Sequence, residues 1–297
     1  MLSTTRRTLV CLSLVLSACG GGNGGATSAE GSEGSAPVAT RTTPAEPEGE
    51  AALTAPAVDP EPASNAAMPA PTSFDVTAWA SLLSTYATED GGFRYAALLA
   101  NAGDQATLRQ VVEAVANASP VAYPERSAQL AFYINAYNIL TVSAVVERFP
   151  IDSVMSVPGF FDTITHTVAG NPRTLNALEN DLIRAQFSEP RIHFAVNCAS
   201  VGCPWLDRTP FTAENLDASL TRLTRQFVGQ STSIDSRRRR VVVSQIFEWF
   251  AGDFQAAGGV RAFLVAHTDH EQTRVQVADE RMRIAYTPYD WALNARP

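Results

Sequence analysis

Leu130-Ala-Phe-Tyr-Ile-Asn-Ala-Tyr-Asn-Ile-Leu-Thr-Val-Ser-Ala-Val-Val146 is apolar almost all the way round a helical wheel. A surface helix keeps a polar face, and a helix without one belongs inside a core. Pro124 suits the first turn, where its missing N–H is not needed, and Pro150 ends the pattern, so the spacing predicts one helix over 124–149. Two amides, Asn135 and Asn138, interrupt the run three residues apart and therefore share a face. Buried amides must find hydrogen-bond partners. Either they anchor neighbouring loops, or they line a site and bind substrate or an oxyanion.

Helical spacing recurs before this stretch, over 74–86, 94–101 and 105–118. After it, residues 162–168 alternate, with Ile164, His166 and Val168 on one face and a turn at Gly170-Asn171. Residues 175–187 read as a helix. Residues 192–197 read as a short apolar strand running into the loop Cys198-Ala-Ser-Val-Gly-Cys203-Pro204. A helix follows over 212–228, then a hairpin of Ile234 with 241–243 around Asp235-Ser236. Ser244 is placed to cap a helix carrying Phe247, Trp249 and Phe250. Residues 260–266 are helical, and 282–286 make a last strand. Strands and helices do not alternate regularly, which points to α+β: one helix-rich domain over 73–297 with a small mixed or antiparallel sheet.

Composition narrows the chemistry. The 22 basic side chains among 297 residues are all arginine. Without lysine, Schiff-base, pyridoxal-phosphate, P-loop and protein-kinase mechanisms lack their amine. A guanidinium stays charged near neutral pH, so proton transfer falls to His, Cys, Tyr or carboxylates. Residues 1–18 read as a secretory signal, with Arg6 and Arg7 before an apolar run too short to span a bilayer. Leu16-Ser-Ala-Cys19 resembles a bacterial lipoprotein cleavage box, in which Cys19 is lipidated and becomes the first residue. Gly20 stands where an aspartate would mark inner-membrane retention, so the expected address is the cell envelope, at the outer rather than the inner membrane. The only membrane contact expected is the lipid anchor.

Residues 19–72 form a Gly-, Pro-, Ala- and Glu-rich tether with no aromatic residue, and composition predicts disorder for it. All 25 aromatic residues lie at or beyond Phe74. Residues 73–297 carry a net charge of −4 by direct count. Mild acidity argues against a nucleic-acid partner, which demands a basic face. The one basic run, Arg237 to Arg240, reads as the solvated start of a strand or as a patch for an anionic partner.

With the signal removed and Cys19 acylated, Cys198 and Cys203 are the remaining thiols. Two cysteines five apart in a secreted domain make a candidate disulfide. They also make a candidate nucleophile, because the loop follows the 192–197 segment and His193 is near in sequence. Along an extended strand His193 and Cys198 point to opposite faces, so pairing needs a chain reversal after Asn197. Cys203 folds back to His193 more easily, and His166 is a second candidate base. The His193, Cys198 and Cys203 spacing matches no standard zinc pattern. Neither a metal nor a cofactor is expected.

Several segments taken together resemble the domain of unknown function 547 family. Ala131-Phe-Tyr-Ile-Asn135-Ala-Tyr137-Asn138 is similar to its "AFWINLYN" segment. Leu175-Asn-Ala-Leu-Glu179-Asn180-Asp-Leu-Ile-Arg184 is similar to its "L..IEH..LR" helix, with Asn180 where the family usually has His. His193-Phe-Ala-Val-Asn-Cys198-Ala-Ser-Val-Gly-Cys203-Pro204 resembles its "HFALVCASxSCP" signature, and two later segments, 244–250 and 289–294, agree as well. The resemblance implies a domain whose activity its own name leaves open, with Asn135, Asn138, Glu179, Arg184, His193, Cys198 and Cys203 converging on one pocket.

Two functions fit. One is an envelope binding domain whose polar pocket around 193–203 takes a peptide, a cell-wall fragment or a protein partner. The alternative is a thiol-dependent hydrolase or acyltransferase. There Cys198 or Cys203 is the nucleophile, His193 or His166 the base, Glu179 the orienting carboxylate, and Asn135, Asn138 and Arg184 bind substrate.

Overall fold

In the computed structural model, which describes residues 74–119 and 122–297, the quoted stretch is the centre of helix α4 (Arg126–Val146). Every residue from Leu130 to Val145 except Tyr133 is buried. The helix is long and apolar enough to cross a membrane, but its apolar length is mostly covered by the domain itself. The signal, Cys19 and tether readings fall on residues outside the described ones.

Helices α1 (Thr77–Tyr86), α2 (Tyr95–Ala100) and α3 (Ala102–Asn117) precede α4. Asn101 caps α3, its side chain accepting from the backbone N–H groups of Gly103 and Asp104, as an N-cap amide should. Trp79, Leu82 and Leu83 of α1 and Leu108, Val111 and Val115 of α3 join the core that α4 fills.

The alternating stretch becomes β1 (Thr165–Val168), paired antiparallel with β2 (Asn171–Thr174). Ala169 and Gly170 between them both have positive φ, +49° and +76°, the backbone twist a two-residue hairpin turn requires. Residues 175–187 are helical throughout, but not uniformly α. α5 (Leu175–Ala177) leads into a π-helical segment, Leu178–Arg184, and then α6 (Ala185–Phe187).

Residues 192–197 are not a strand. Pro190–Phe194 is a 3-10 helix, with Pro190 in its first turn and the Glu189 side chain accepting from Arg191 N–H at 3.1 Å. A short apolar run does not itself distinguish a strand from a buried helical turn. Here the proline and the capping glutamate decide for the turn.

Helix α7 (Leu216–Ser231) is followed by β3 (Ser233–Asp235), β4 (Arg240–Ser244) and α8 (Ile246–Trp249). Then come α9 (Gly259–His267), α10 (Glu271–Ala278) and β5 (Arg283–Thr287). The sheet order is β3-β4-β5, antiparallel then parallel, so this sheet is mixed. Arg237 to Arg239 turn between β3 and β4, and Arg238 and Arg240 both pair with Asp235. Phe194, Phe227, Phe247, Phe254 and Phe263 interlock with ring centroids 4.7 to 6.4 Å apart, tying the 3-10 turn to α7, α8 and α9. The described residues belong to one unit, a helix-rich α+β domain with two small sheets.

Candidate functional site

The loop that carries both cysteines is hung from α4. Asn138 Nδ2 donates to the Ala195 carbonyl at 2.9 Å, and its Oδ1 accepts from Asn197 N–H at 2.8 Å. Asn197 continues the chain of contacts: its Oδ1 accepts from Ala199 N–H at 2.9 Å and its Nδ2 donates to the Pro204 carbonyl at 2.7 Å. These bonds close the loop and hold Ala199, wholly buried, at a φ of +63°. A non-glycine residue in the left-handed region is costly and persists only where its surroundings over-determine it. The C-terminal segment closes the other side, with Val201 N–H donating to Ala292 and Gly202 N–H to Asp290. A Cβ at Gly202 would lie 2.9 Å from the Asp290 backbone nitrogen, so the close approach needs glycine there.

This scaffold brings the two thiols together as free cysteines, with Sγ atoms 3.0 Å apart. Cys198 Sγ also lies 3.0 Å from Ser200 Oγ and 3.0 Å from the Tyr289 hydroxyl. Burial alone would push the Cys198 thiol up. Hydrogen bonds from Cys203, Ser200 and Tyr289 outweigh that and bring it down to about 7. Cys203 moves the other way. Burial and the Cys198 sulfur beside it raise it well above the ordinary thiol range, and its Sγ accepts from Cys198 N–H at 3.0 Å. Cys198 is half-buried and Cys203 buried. The pair therefore divides into a partly exposed thiol that ionises more readily than usual and a buried one that ionises less readily.

No histidine touches either sulfur among the described residues, so the expected thiol–imidazole pair is not formed. His193 sits on the 3-10 turn and faces the chain after α8. Its Nε2 is 2.7 Å from Asp253 Oδ2, and its ring stacks on Phe250 at 4.0 Å. His166 lies on β1 with its Nε2 buried and without a hydrogen-bond partner, and burial lowers its pKa.

Arg184 is also turned inward. Its Nε and Nη2 grip Asp253 at 2.7 and 2.9 Å, its Nη1 meets Asn180 Oδ1, and its guanidinium lies over Phe250 at 4.8 Å. The fork expected to hold a substrate anion is thus occupied by Asp253. That carboxylate is raised by burial, but the hydrogen bonds from His193 and Arg184 outweigh this and hold it below the usual range.

Glu179 does not orient His193, since Asp253 takes that hydrogen bond. Burial raises the pKa of the Tyr137 phenol, and the Glu179 carboxyl lies near enough to raise it further. Burial raises Glu179, against the opposing pull of His193 and Arg184. The π turn underlies this placement: its hydrogen bonds close five residues back, which sets Glu179 and Arg184 on one side.

Both helix amides are engaged by backbone. Asn135 donates to the Phe211 carbonyl at 2.7 Å and accepts from Phe211 N–H at 3.0 Å, while Asn138 holds 195 and 197. Both anchor loops. Among the described residues no three His, Cys, Asp or Glu side chains gather as metal ligands. Asp253, Ser200 and Tyr289 were not singled out by sequence, although Tyr289 opens the quoted C-terminal segment and Ser200 lies inside the thiol loop.

Residues 122–228 match the family described as "Protein of unknown function, DUF547". The DUF547 match spans α4, the hairpin, the π turn, the thiol loop and most of α7, and so includes both cysteines, both amides, Glu179, Arg184 and His193. It leaves Asp253 and Tyr289 outside. No curated protein and no solved structure matches the chain.

Proposed function

We propose that this chain is a lipid-anchored protein of the bacterial cell envelope whose folded domain works through Cys198 as a thiolate nucleophile, accepting an acyl group from an ester or thioester. The observation that carries this reading is the Cys198 sulfur with three hydrogen-bonding groups at 3.0 Å and a pKa brought down to about 7. A thiolate near neutral pH needs no separate base to begin the attack. The Cys198 sulfur forms a bond to the acyl carbon, and the tetrahedral adduct collapses with loss of the thiolate of a thioester or the phenolate of an aryl ester, neither of which needs a placed acid. Water or a second alcohol then removes the acyl group and restores the thiolate. An amide substrate fits less well, because its departing nitrogen needs a proton from a placed acid and no imidazole touches the thiols.

The test is acetylation by p-nitrophenyl acetate under reducing conditions at pH 7. Residues 192–208 form a single tryptic peptide holding both cysteines. One acetyl group on Cys198, gained faster than by a small free thiol and absent in Cys198→Ala, is the expected result. Acetylation no faster than the free thiol overturns the reading. For the anchor, Cys19→Ser should abolish palmitate labelling, and labelling that persists refutes it.

A second reading, a binding domain for a peptide or cell-wall fragment, draws on a cleft of about 240 Å³ lined by Arg184, Glu189, Gly252 and Asp253. Saturable binding of a muropeptide, unchanged in Cys198→Ala, would favour it over thiol chemistry.

A further inference from the structure

Acyl transfer at Cys198 uses Cys203 only as a hydrogen-bonding neighbour, and leaves its own sulfur chemistry without a task. Cys203 is buried, it lies 3.0 Å from Cys198 Sγ, and the Asn138–Asn197 scaffold holds both cysteines within one closed loop. A disulfide requires sulfurs about 2.05 Å apart, so closure needs a movement of about 1 Å. The partly exposed member meets reagents first, and the one thiol beside the buried member is its neighbour. These are the positions of an attacking and a resolving thiol.

We infer that Cys198 and Cys203 form a dithiol–disulfide couple that exchanges electrons with disulfides of low-molecular-weight thiols or of other envelope proteins. The proposal rests on the reading of Cys198 as the nucleophile and adds a second activity to it. Cys198 thiolate attacks one sulfur of the external disulfide, an S–S bond forms to Cys198, and one external thiolate leaves. Cys203 then gives up its proton to that thiolate and attacks the Cys198 sulfur, expelling the second external thiolate. The protein's two thiols are oxidised by two electrons and the external disulfide is reduced to two thiols. Run in reverse, the closed bond oxidises an external dithiol. While closed, it withholds Cys198 from acyl groups.

The surroundings support a bond that opens readily. Ser200 and Tyr289 stabilise the Cys198 thiolate, which makes it the better leaving group when the bond is reduced. Ala199, at φ +63°, sits between the cysteines in a conformation that tertiary bonds enforce.

The test equilibrates the reduced protein with mixtures of reduced and oxidised glutathione at pH 7, quenches in acid, alkylates, and weighs the 192–208 peptide. The expected product is a peptide lacking two hydrogens, carrying no alkyl group and no glutathione. Cys203→Ser should instead stop at one glutathione on Cys198, at least tenfold more abundant than any mixed disulfide in the wild type. The inference is overturned if the wild type accumulates the same mixed disulfide as Cys203→Ser. It is equally overturned if the pair stays reduced in oxidised glutathione with no reduced glutathione added. The reduced wild type also separates the two readings: reaction with p-nitrophenyl acetate there, with no closure under oxidation, leaves the nucleophile standing and removes the couple. Closure with no acetylation does the reverse.

Discussion

Replacing Asn138 by leucine keeps the side chain's size and removes both of its hydrogen bonds. Asn138 is 2% exposed, so water cannot substitute for what is lost. The Ala195 carbonyl and the Asn197 N–H are then left unpaired, and each buried orphan costs about 1–3 kcal/mol. Together the loss is on the order of 4 kcal/mol, a large part of a total stability of roughly 5–15 kcal/mol. Asn135→Leu supplies the control. It lies in the same helix and orphans two backbone groups of Phe211, in the loop before α7, at a similar cost, but those groups do not hold the thiol loop. Urea unfolding should therefore show two comparably destabilised variants with unchanged m-values. Alkylation of Cys198 under folding conditions at pH 7 should divide them, falling at least tenfold in Asn138→Leu and less than twofold in Asn135→Leu. Equal losses of alkylation in the two variants would show that the amide does not position the thiolate. A loss of stability below about 1 kcal/mol in either would refute the hydrogen-bond reasoning itself.

Alkylation of Cys198 should rise with pH through a midpoint near 7, and Tyr289→Phe should move that midpoint upward by removing one donor to the thiolate. A midpoint that stays put would show that the hydroxyl does not stabilise the sulfur anion. Two carboxylates should give opposite pH dependences of stability. Asp253 lies below its usual 3.8 in the folded protein, so its contribution is present above that value and is lost as pH falls through the lower folded one. Asp253→Asn should lower stability at pH 7 and flatten the acid limb of the unfolding curve. Glu179 is raised above its usual 4.5, so the stability of its protonated form is full below 4.5 and declines as pH rises through the folded value. Glu179→Gln should remove that decline, which chemical denaturation at a series of pH values would register.

The buried helix was legible because no polar face could be drawn on residues 130–146, and that pattern has one physical solution. The α4 core, the 165–168 strand with its turn, and the hairpin at 234–243 follow from periodicity and turn chemistry. What escaped depends on contacts remote in sequence. Asp253 is 60 residues from His193 and 69 from Arg184, and spacing carries no signal over that distance. The 3-10 turn at 190–194 was concealed by an apolar run equally suited to a strand, and its error misplaced His193 relative to the thiols. α10 was missed because it buries only Val277 and so shows no apolar stripe. The two helix amides were found from sequence, but their task could be settled only by their partners.

The loop is built where local rules are broken together. Two amides sit in an apolar helix, an alanine takes a left-handed backbone, and a neighbouring helix widens to a π turn. Any one of these lowers stability by itself, and a chain selected for packing alone would replace it with a compliant residue. Here the first two are linked: Asn138 fixes Asn197, Asn197 fixes Ala199, and Ala199 lies between Cys198 and Ser200, which meet sulfur to hydroxyl. Removing any link releases strain but also releases the thiol. The same chain explains why burial does not silence Cys198. Desolvation acts against its anion, and only donors held in place, Cys203 and Ser200 by the strained loop and Tyr289 by the C-terminal segment, reverse the balance. A thiol in this loop with relaxed geometry would behave like Cys203, shielded and protonated. The cost in local stability is therefore best understood as the condition for an anionic sulfur at neutral pH.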